Sequence, residues 1–302
     1  MKIRPNLFIP GFAKCGTSYL HEILDSHDEI SMTKVKETHN FVLDKYYNKL
    51  ENPEFSNNFE YMFENLNSKY KGESSTLNIM DSKFMKRIYE FCEKPKFLII
   101  LRDPIERIIS HFNWMSYLGN VKLPFKEEVL SDVNKNFNPN KNFDGNYKNY
   151  ILFSSYYKNI IKLKEFFPNS FLIINLESLK SDFSLTMNHI CNFLNINNSF
   201  YYNNDIKRKV NETPKVTISE KSFPISFFSK LLSKQFKDFL KNYKFIKKQI
   251  NKYHRTQYFY KPSQEEESFL FKILENDVLS FQKEYPSIVS QWEKTSMFLK
   301  RK

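Results

Sequence analysis

With 302 residues, 41% of them hydrophobic and 17% aromatic but only 5 glycines, the chain has the material for one large or two small domains and is neither disordered nor a glycine-rich repeat. Its 3 cysteines, Cys15, Cys92 and Cys191, are too scattered for a disulfide framework or a metal site, so a reducing compartment and no metal are expected. No signal-like or membrane-spanning apolar run occurs, which makes the expected location cytoplasmic, and the net charge of +12 is concentrated in residues 201–250, where 12 basic side chains stand against 4 acidic ones.

The first strand is expected at residues 7–9. It leads into Gly11-Phe12-Ala13-Lys14-Cys15-Gly16-Thr17-Ser18 and then a helix with an apolar stripe of Leu20, Ile23 and Leu24. A strand, a glycine turn and a helix start aim backbone N–H groups and the positive end of the helix dipole at one point, where an anion can sit. In the common nucleotide-triphosphate loop a lysine follows the last glycine. Here Lys14 comes two residues before Gly16, and the hydroxyls of Thr17 and Ser18 follow directly. At Cys15 the backbone N–H is expected to matter more than the thiol. His21 and His27 have no carboxylate-rich neighbourhood in sequence and read as structural.

Next comes Lys34-Val35-Lys36-Glu37-Thr38-His39-Asn40-Phe41. If extended, it points Glu37 and His39 to one side, and either group can take a proton from an alcohol. Glu37 is the favoured base if burial raises its pKa; a surface turn with solvated charges is the plain alternative. A helical stripe of Phe84, Ile88 and Phe91 precedes a buried strand at 97–101, which delivers Arg102 to its carboxyl end. Pro104 then opens a helix on which Arg107 and Ser110 share a face, a compact phosphate pocket unless Arg102 and Asp103 merely cap the helix. Residues 122–149 lack periodicity and read as a long loop or short helices near the site. A helix ending near Pro168, a strand at 171–174 and a helix with Met187, Ile190 and Leu194 complete a β-α-β-α-β alternation. Helices are expected again around 227–240, basic and amphipathic, and around 266–281. The fold class is therefore α/β, a phosphate-loop-like three-layer fold with a central parallel sheet flanked by helices, whose ligands lie beyond the strands' carboxyl ends.

The three segments, in this order, closely resemble the sulfotransferase family that uses 3′-phosphoadenosine 5′-phosphosulfate (PAPS). The loop around Lys14 looks like its 5′-phosphosulfate motif, and Leu101-Arg102-Asp103-Pro104 through Ser110 looks like its 3′-phosphate motif. The Lys-Glu-x-His-x-Phe segment is similar to the catalytic stretch of heparan-sulfate-type carbohydrate sulfotransferases and their bacterial relatives. Asn40 and Val42 depart from the aromatic and acidic residues usual there. The likeness covers roughly residues 6–215, and a single domain over 1–302 is expected, with a helical, basic extension from about 216.

The resemblance implies that Lys14 serves the leaving group, that Cys15, Gly16, Thr17 and Ser18 hold the 5′-phosphate, and that Arg102 and Ser110 bind the 3′-phosphate. It makes Glu37 the general base, with His39 the alternative, and places Lys36 and Ser74 towards the acceptor. Lys207, Arg208 and Lys209 look like the basic loop that closes over the product, adenosine 3′,5′-bisphosphate (PAP). The implied acceptor is a hydroxyl, most readily of a glycan or polysaccharide, without metal. Two alternatives compete with it: a kinase-like phosphoryl transferase using ATP and Mg²⁺, and a nucleic-acid-binding protein acting through residues 201–250. No recognised nucleic-acid motif supports the second, and neither nucleic acid nor membrane-surface contact is expected.

Overall fold

The computed structural model describes residues 3–50, 57–131, 133, 137–140, 147–203 and 260–301. Strands β1 (Leu7–Ile9), β2 (Ile30–Met32), β3 (Tyr70–Ser74), β4 (Lys96–Leu101) and β5 (Phe171–Asn175) form a sheet of order β2-β3-β1-β4-β5 in which every neighbouring pair is parallel. In β4 the side chains from Phe97 to Leu101 are all fully buried. Because successive residues of a strand face opposite sides, helices must cover both faces of the sheet, which explains an apolar run without alternation.

Helices α1 (Thr17–Asp25), α2 (Asp44–Leu50), α3 (Ser82–Phe91), α4 (Pro104–Tyr117), α5 (Phe125–Leu130) and α6 (Tyr156–Phe166) lie in the first part of the chain. Then come α7 (Leu176–Ser181), α8 (Phe183–Leu194), α9 (Phe200–Asn203), α10 (Gln264–Glu284), α11 (Pro286–Val289) and α12 (Glu293–Leu299). The expected loop at 122–149 contains α5, and the expected helix from Tyr150 starts as a short 3₁₀ turn, Leu152–Ser154, before α6.

The chain runs from β1 outwards to β2 and β3 on one side, then returns to place β4 and β5 on the other. The strand order therefore reverses beside β1, and the carboxyl ends of β1, β3 and β4 are the usual ligand position in such sheets. An aromatic cluster packs β1 and β4 against α3 and the segment 34–41. Phe8 of β1 stacks on Phe97 at 5.6 Å between ring centroids and meets Phe41 and Phe84 edge-on at 5.7 and 6.1 Å. Phe41 thereby ties the segment 34–41 to the core.

The chain's last described stretch packs onto this body. Leu270, Phe271, Leu274 and Val278 of α10 join Ile105, Ile108 and Phe112 of α4 in a second apolar core. Asp277 accepts the Tyr157 and Lys158 N–H groups at the start of α6, at 3.0 and 3.1 Å. Asp103, the N-cap of α4, accepts from Ile105 N–H at 3.0 Å and from both the N–H and the hydroxyl of Thr295 at 2.9 Å. The expected helix at 227–240 and the basic run Lys207, Arg208 and Lys209 lie outside the described residues.

Candidate active site

The loop after β1 is shaped by Gly16, which stands at φ +93° as the N-cap of α1 with no side chain capping the helix. The N–H groups of Thr17 and Ser18, at the first turn, have no intrahelical acceptor and face outwards from the helix start. A Cβ on Gly16 would lie 2.7 Å from Leu176 Cδ1. Gly16→Ala is therefore expected to cost about 1–3 kcal/mol in the left-handed backbone alone, read as a lower denaturant midpoint; an unchanged midpoint would contradict this account of the turn. Thr17 is buried and Ser18 exposed. Cys15 is fully buried, its Sγ 3.3 Å from the Tyr156 hydroxyl, and burial pushes its thiol up to about 11, so the residue contributes backbone to the loop.

Lys14 is also left-handed, at φ 69°, and its Nζ lies 4.6 Å from the ring centre of Trp114 on α4. Burial, with Arg102, Arg107 and Lys36 as like charges, lowers its pKa to about 8. Arg102 leaves the end of β4, half-buried, and pairs with Glu106 at 3.0 Å. Ser110 is half-buried one turn before Trp114 on α4.

Arg107 departs from the sequence reading. It does not share a ligand-facing pocket with Ser110 but is fully buried. Its Nε donates to Ser154 Oγ at 2.5 Å, Nη1 to the Ala13 carbonyl at 3.2 Å, and Nη2 to the Tyr150 carbonyl at 2.8 Å. It braces the loop from below. Tyr156 adds a second brace, its hydroxyl donating to the Arg102 carbonyl at 2.9 Å.

The segment 34–41 is not extended. It turns tightly, with Glu37 at φ 60° and His39 at φ 53°. Left-handed backbone at non-glycine residues is uncommon and tends to cluster at functional sites; here it occurs at Lys14, Glu37 and His39, and elsewhere among the described residues at Asn195, a helix C-cap. The turn brings Glu37 Oε2 within 3.7 Å of His39 Nε2 all the same. Glu37 Oε2 accepts from the Thr76 N–H at 2.8 Å and the Thr76 hydroxyl at 3.1 Å, and Oε1 is held by the Lys36 ammonium.

Burial works against the charge on Glu37, yet Lys36, His39 and the Thr76 N–H together hold its carboxyl below the usual carboxylate range. The expected upward shift is therefore reversed, because the cation and donors outweigh desolvation. His39 is buried, and burial lowers its pKa to about 4, so its ring is neutral. Of the two, Glu37 is the more accessible, with its side chain 32% exposed against 10% for His39.

Ser74 ends β3 fully buried. Its carbonyl accepts the Glu37 N–H at 2.9 Å, and its hydroxyl lies 2.6 Å from Nδ1 of His21, a residue that the sequence reading had set aside. Beside it, the fully buried Glu73 accepts from the Thr38 hydroxyl at 2.8 Å, from Asn78 Nδ2 at 2.9 Å and from the Ser75 hydroxyl, which itself accepts the His39 N–H at 3.0 Å. Burial raises the Glu73 pKa to about 7. Glu73 thus fastens the Glu37–His39 turn to β3. The signal for it in the sequence was a carboxylate amid Gly72, Ser74 and Ser75, a run too polar to read as a strand.

A five-stranded parallel sheet of reversing order, flanked by helices, with a glycine-turned loop leading from β1 into α1, defines an α/β protein. The sulfotransferase domain family's sequence model matches residues 4–268, and the chain belongs to that family. The membrane-associated sulfotransferase kil1 of Dictyostelium discoideum is 30% identical over 122 residues, which span 40% of this chain and 25% of that protein. The crystal structure of a sulfotransferase from Alicyclobacillus acidocaldarius shares the fold, with a TM-score of 0.55 at 23% identity over 66% of this chain and 83% of that one. The sulfotransferase domain from the curacin biosynthetic pathway aligns at a TM-score of 0.43 and 14% identity, over 65% and 76% of the two chains. Among the described residues no helix is long and apolar enough to cross a membrane.

Proposed function

We propose that the protein transfers a sulfuryl group from PAPS to an acceptor hydroxyl, and that the chain acts as one domain. The observation that carries this reading is the approach of a cationic loop to an ionised carboxylate, Glu37, whose partner Lys36 lies close enough to Lys14 to lower its pKa. The residues present fit an anionic nucleotide. Arg102, Arg107 and Lys36 gather close enough to Lys14 to depress its pKa, a cluster of cations suited to an anion. Lys14 and the first-turn N–H groups at Gly16, Thr17 and Ser18 would hold the 5′-phosphosulfate, and Arg102 with Ser110 the 3′-phosphate. Lys207, Arg208 and Lys209 are assigned to the same donor on sequence alone.

PAPS supplies the sulfuryl group and a phosphate as leaving group. Lys14 would place its charge against the leaving group as negative charge grows there. Glu37, ionised at neutral pH, accepts the acceptor's hydroxyl proton, which becomes acidic as the new S–O bond forms. Lys36 fixes one Glu37 oxygen and Thr76 the other. Ser74, being buried, supports the Glu37 backbone, and Lys36 is left as the acceptor-side cation. A glycan is the acceptor we favour.

Incubation with radiolabelled PAPS and a panel of glycans, phenols and alcohols tests the reading. Labelled sulfate on a hydroxyl supports it, and no transfer to any member of the panel contradicts it. The pH dependence of donor binding is a second check. Below pH about 8 Lys14 is an ammonium; above it the neutral amine must first take up a proton, so PAP affinity is expected to fall as pH rises through about 8. A flat affinity between pH 7 and 9.5 would contradict that role.

A further inference from the structure

Arg107 has no carboxylate partner among the described residues, although it is fully buried. Its contacts are all neutral: the Ala13 and Tyr150 carbonyls, the Ser154 hydroxyl, and His111 Nδ1 at 3.2 Å. His111 does not compensate it, because burial and the neighbouring cations Arg107 and Lys14 hold that ring well below its ordinary pKa. A guanidinium cannot shed its proton to escape burial, so the charge persists. Buried cations are ordinarily paired, since an unpaired one is strongly destabilising.

We propose that Arg107 is a positioning residue for the donor, a permanent buried charge beneath the Lys14 loop whose counter-ion is the bound adenosine bisphosphate moiety. The inference rests on the donor reading above. The Ala13 carbonyl ties the charge mechanically to the residue that precedes Lys14. Removing the charge therefore changes both the field at the loop and the ionisation of Lys14. The groups that face Lys14 are Arg102 from β4, Arg107 and His111 from α4, Cys15 within the loop and Lys36 from the Glu37 turn, with the Trp114 ring above. Among these cations Arg107 is the fully buried one.

The test compares PAP binding by calorimetry from pH 7 to 9.5 in the wild type, Arg107→Gln and Arg107→Lys. Arg107→Gln is expected to weaken binding at pH 7 by about tenfold or more, as for loss of a desolvated charge facing an anion, and to move the alkaline fall-off to higher pH. Arg107→Lys keeps the charge but not the fork, so its unfolding midpoint drops while its affinity stays within about threefold of wild type. Equal loss of affinity in both variants would assign Arg107 a bracing role only and overturn the inference, as would a Gln variant that binds like wild type. Should the Gln variant fail to fold, the Lys variant decides alone: affinity kept within about threefold supports the charge, and loss beyond about tenfold overturns it. Failure of the wild type to bind PAP overturns the donor reading itself, and the inference with it.

Discussion

Replacing Glu37 by glutamine is expected to lower the rate of sulfuryl transfer by about 10²–10⁴-fold, the usual contribution of a positioned general base, while PAP affinity stays nearly unchanged. The split between rate and affinity follows from the geometry. Glu37 belongs to the turn at 34–41 and to the end of β3, through the Thr76 N–H and the Ser74 carbonyl, and not to the loop that carries Lys14. Glutamine preserves the shape and accepts the Thr76 bonds through its amide oxygen, but it takes up no proton. Single-turnover assays with bound PAPS read the chemical step, and calorimetry with PAP reads the binding. Undiminished turnover would remove Glu37 as base and pass the role to His39, whose ring, with its pKa near 4, is neutral and able to accept a proton. His39→Ala then becomes the decisive variant.

Lys14→Met is expected to lower kcat by about 10²–10³-fold, as for removal of one preorganised group facing developing charge, and to weaken PAP binding as well. On the proposed reading both parameters change, because the ammonium would face charge already present on the donor's phosphate as well as charge that develops only on the leaving group. The fold should survive. Lys14 is part-buried and crowded by like charges, which lower its pKa to about 8, so its charge is carried at a cost to the folded state and methionine relieves it. An unfolding midpoint equal to or above that of wild type, with activity nearly abolished, is the expected combination. Retained activity would place the leaving group elsewhere.

Much of this arrangement was legible in the residues, and the parts that were not share a cause. The Lys14 loop, the β4 delivery of Arg102 and the Pro104 helix start are encoded locally, in glycine, proline and an unbroken apolar run, and the structure places them as read. Strand β3 was missed because Tyr70-Lys71-Gly72-Glu73-Ser74 is buried along its whole length yet mostly polar. Its polar groups are satisfied by Asn78 just beyond the strand and by the long-range partners Thr38 and His21, which no local pattern reveals. Strand β2 is three residues long and breaks its apolar pair with Ser31. Arg107 was placed on the correct helix but given the wrong surroundings, because periodicity fixes a side chain's face and not what covers that face. Likewise the pairing of Glu37 with His39 was expected from extended spacing and occurs instead through two left-handed residues.

On the proposed reading the loop at Gly11–Ser18 serves a phosphosulfate donor bearing a 3′-phosphate. Calorimetric titration of the protein with PAP and, separately, with ATP and Mg²⁺ tests it most directly. PAP is expected to bind at least about a hundredfold more tightly, since Arg102 and Ser110 would engage a phosphate that ATP lacks and charge-assisted bonds of this kind contribute about 1.5–3 kcal/mol each. Tighter binding of ATP with Mg²⁺ than of PAP would contradict it.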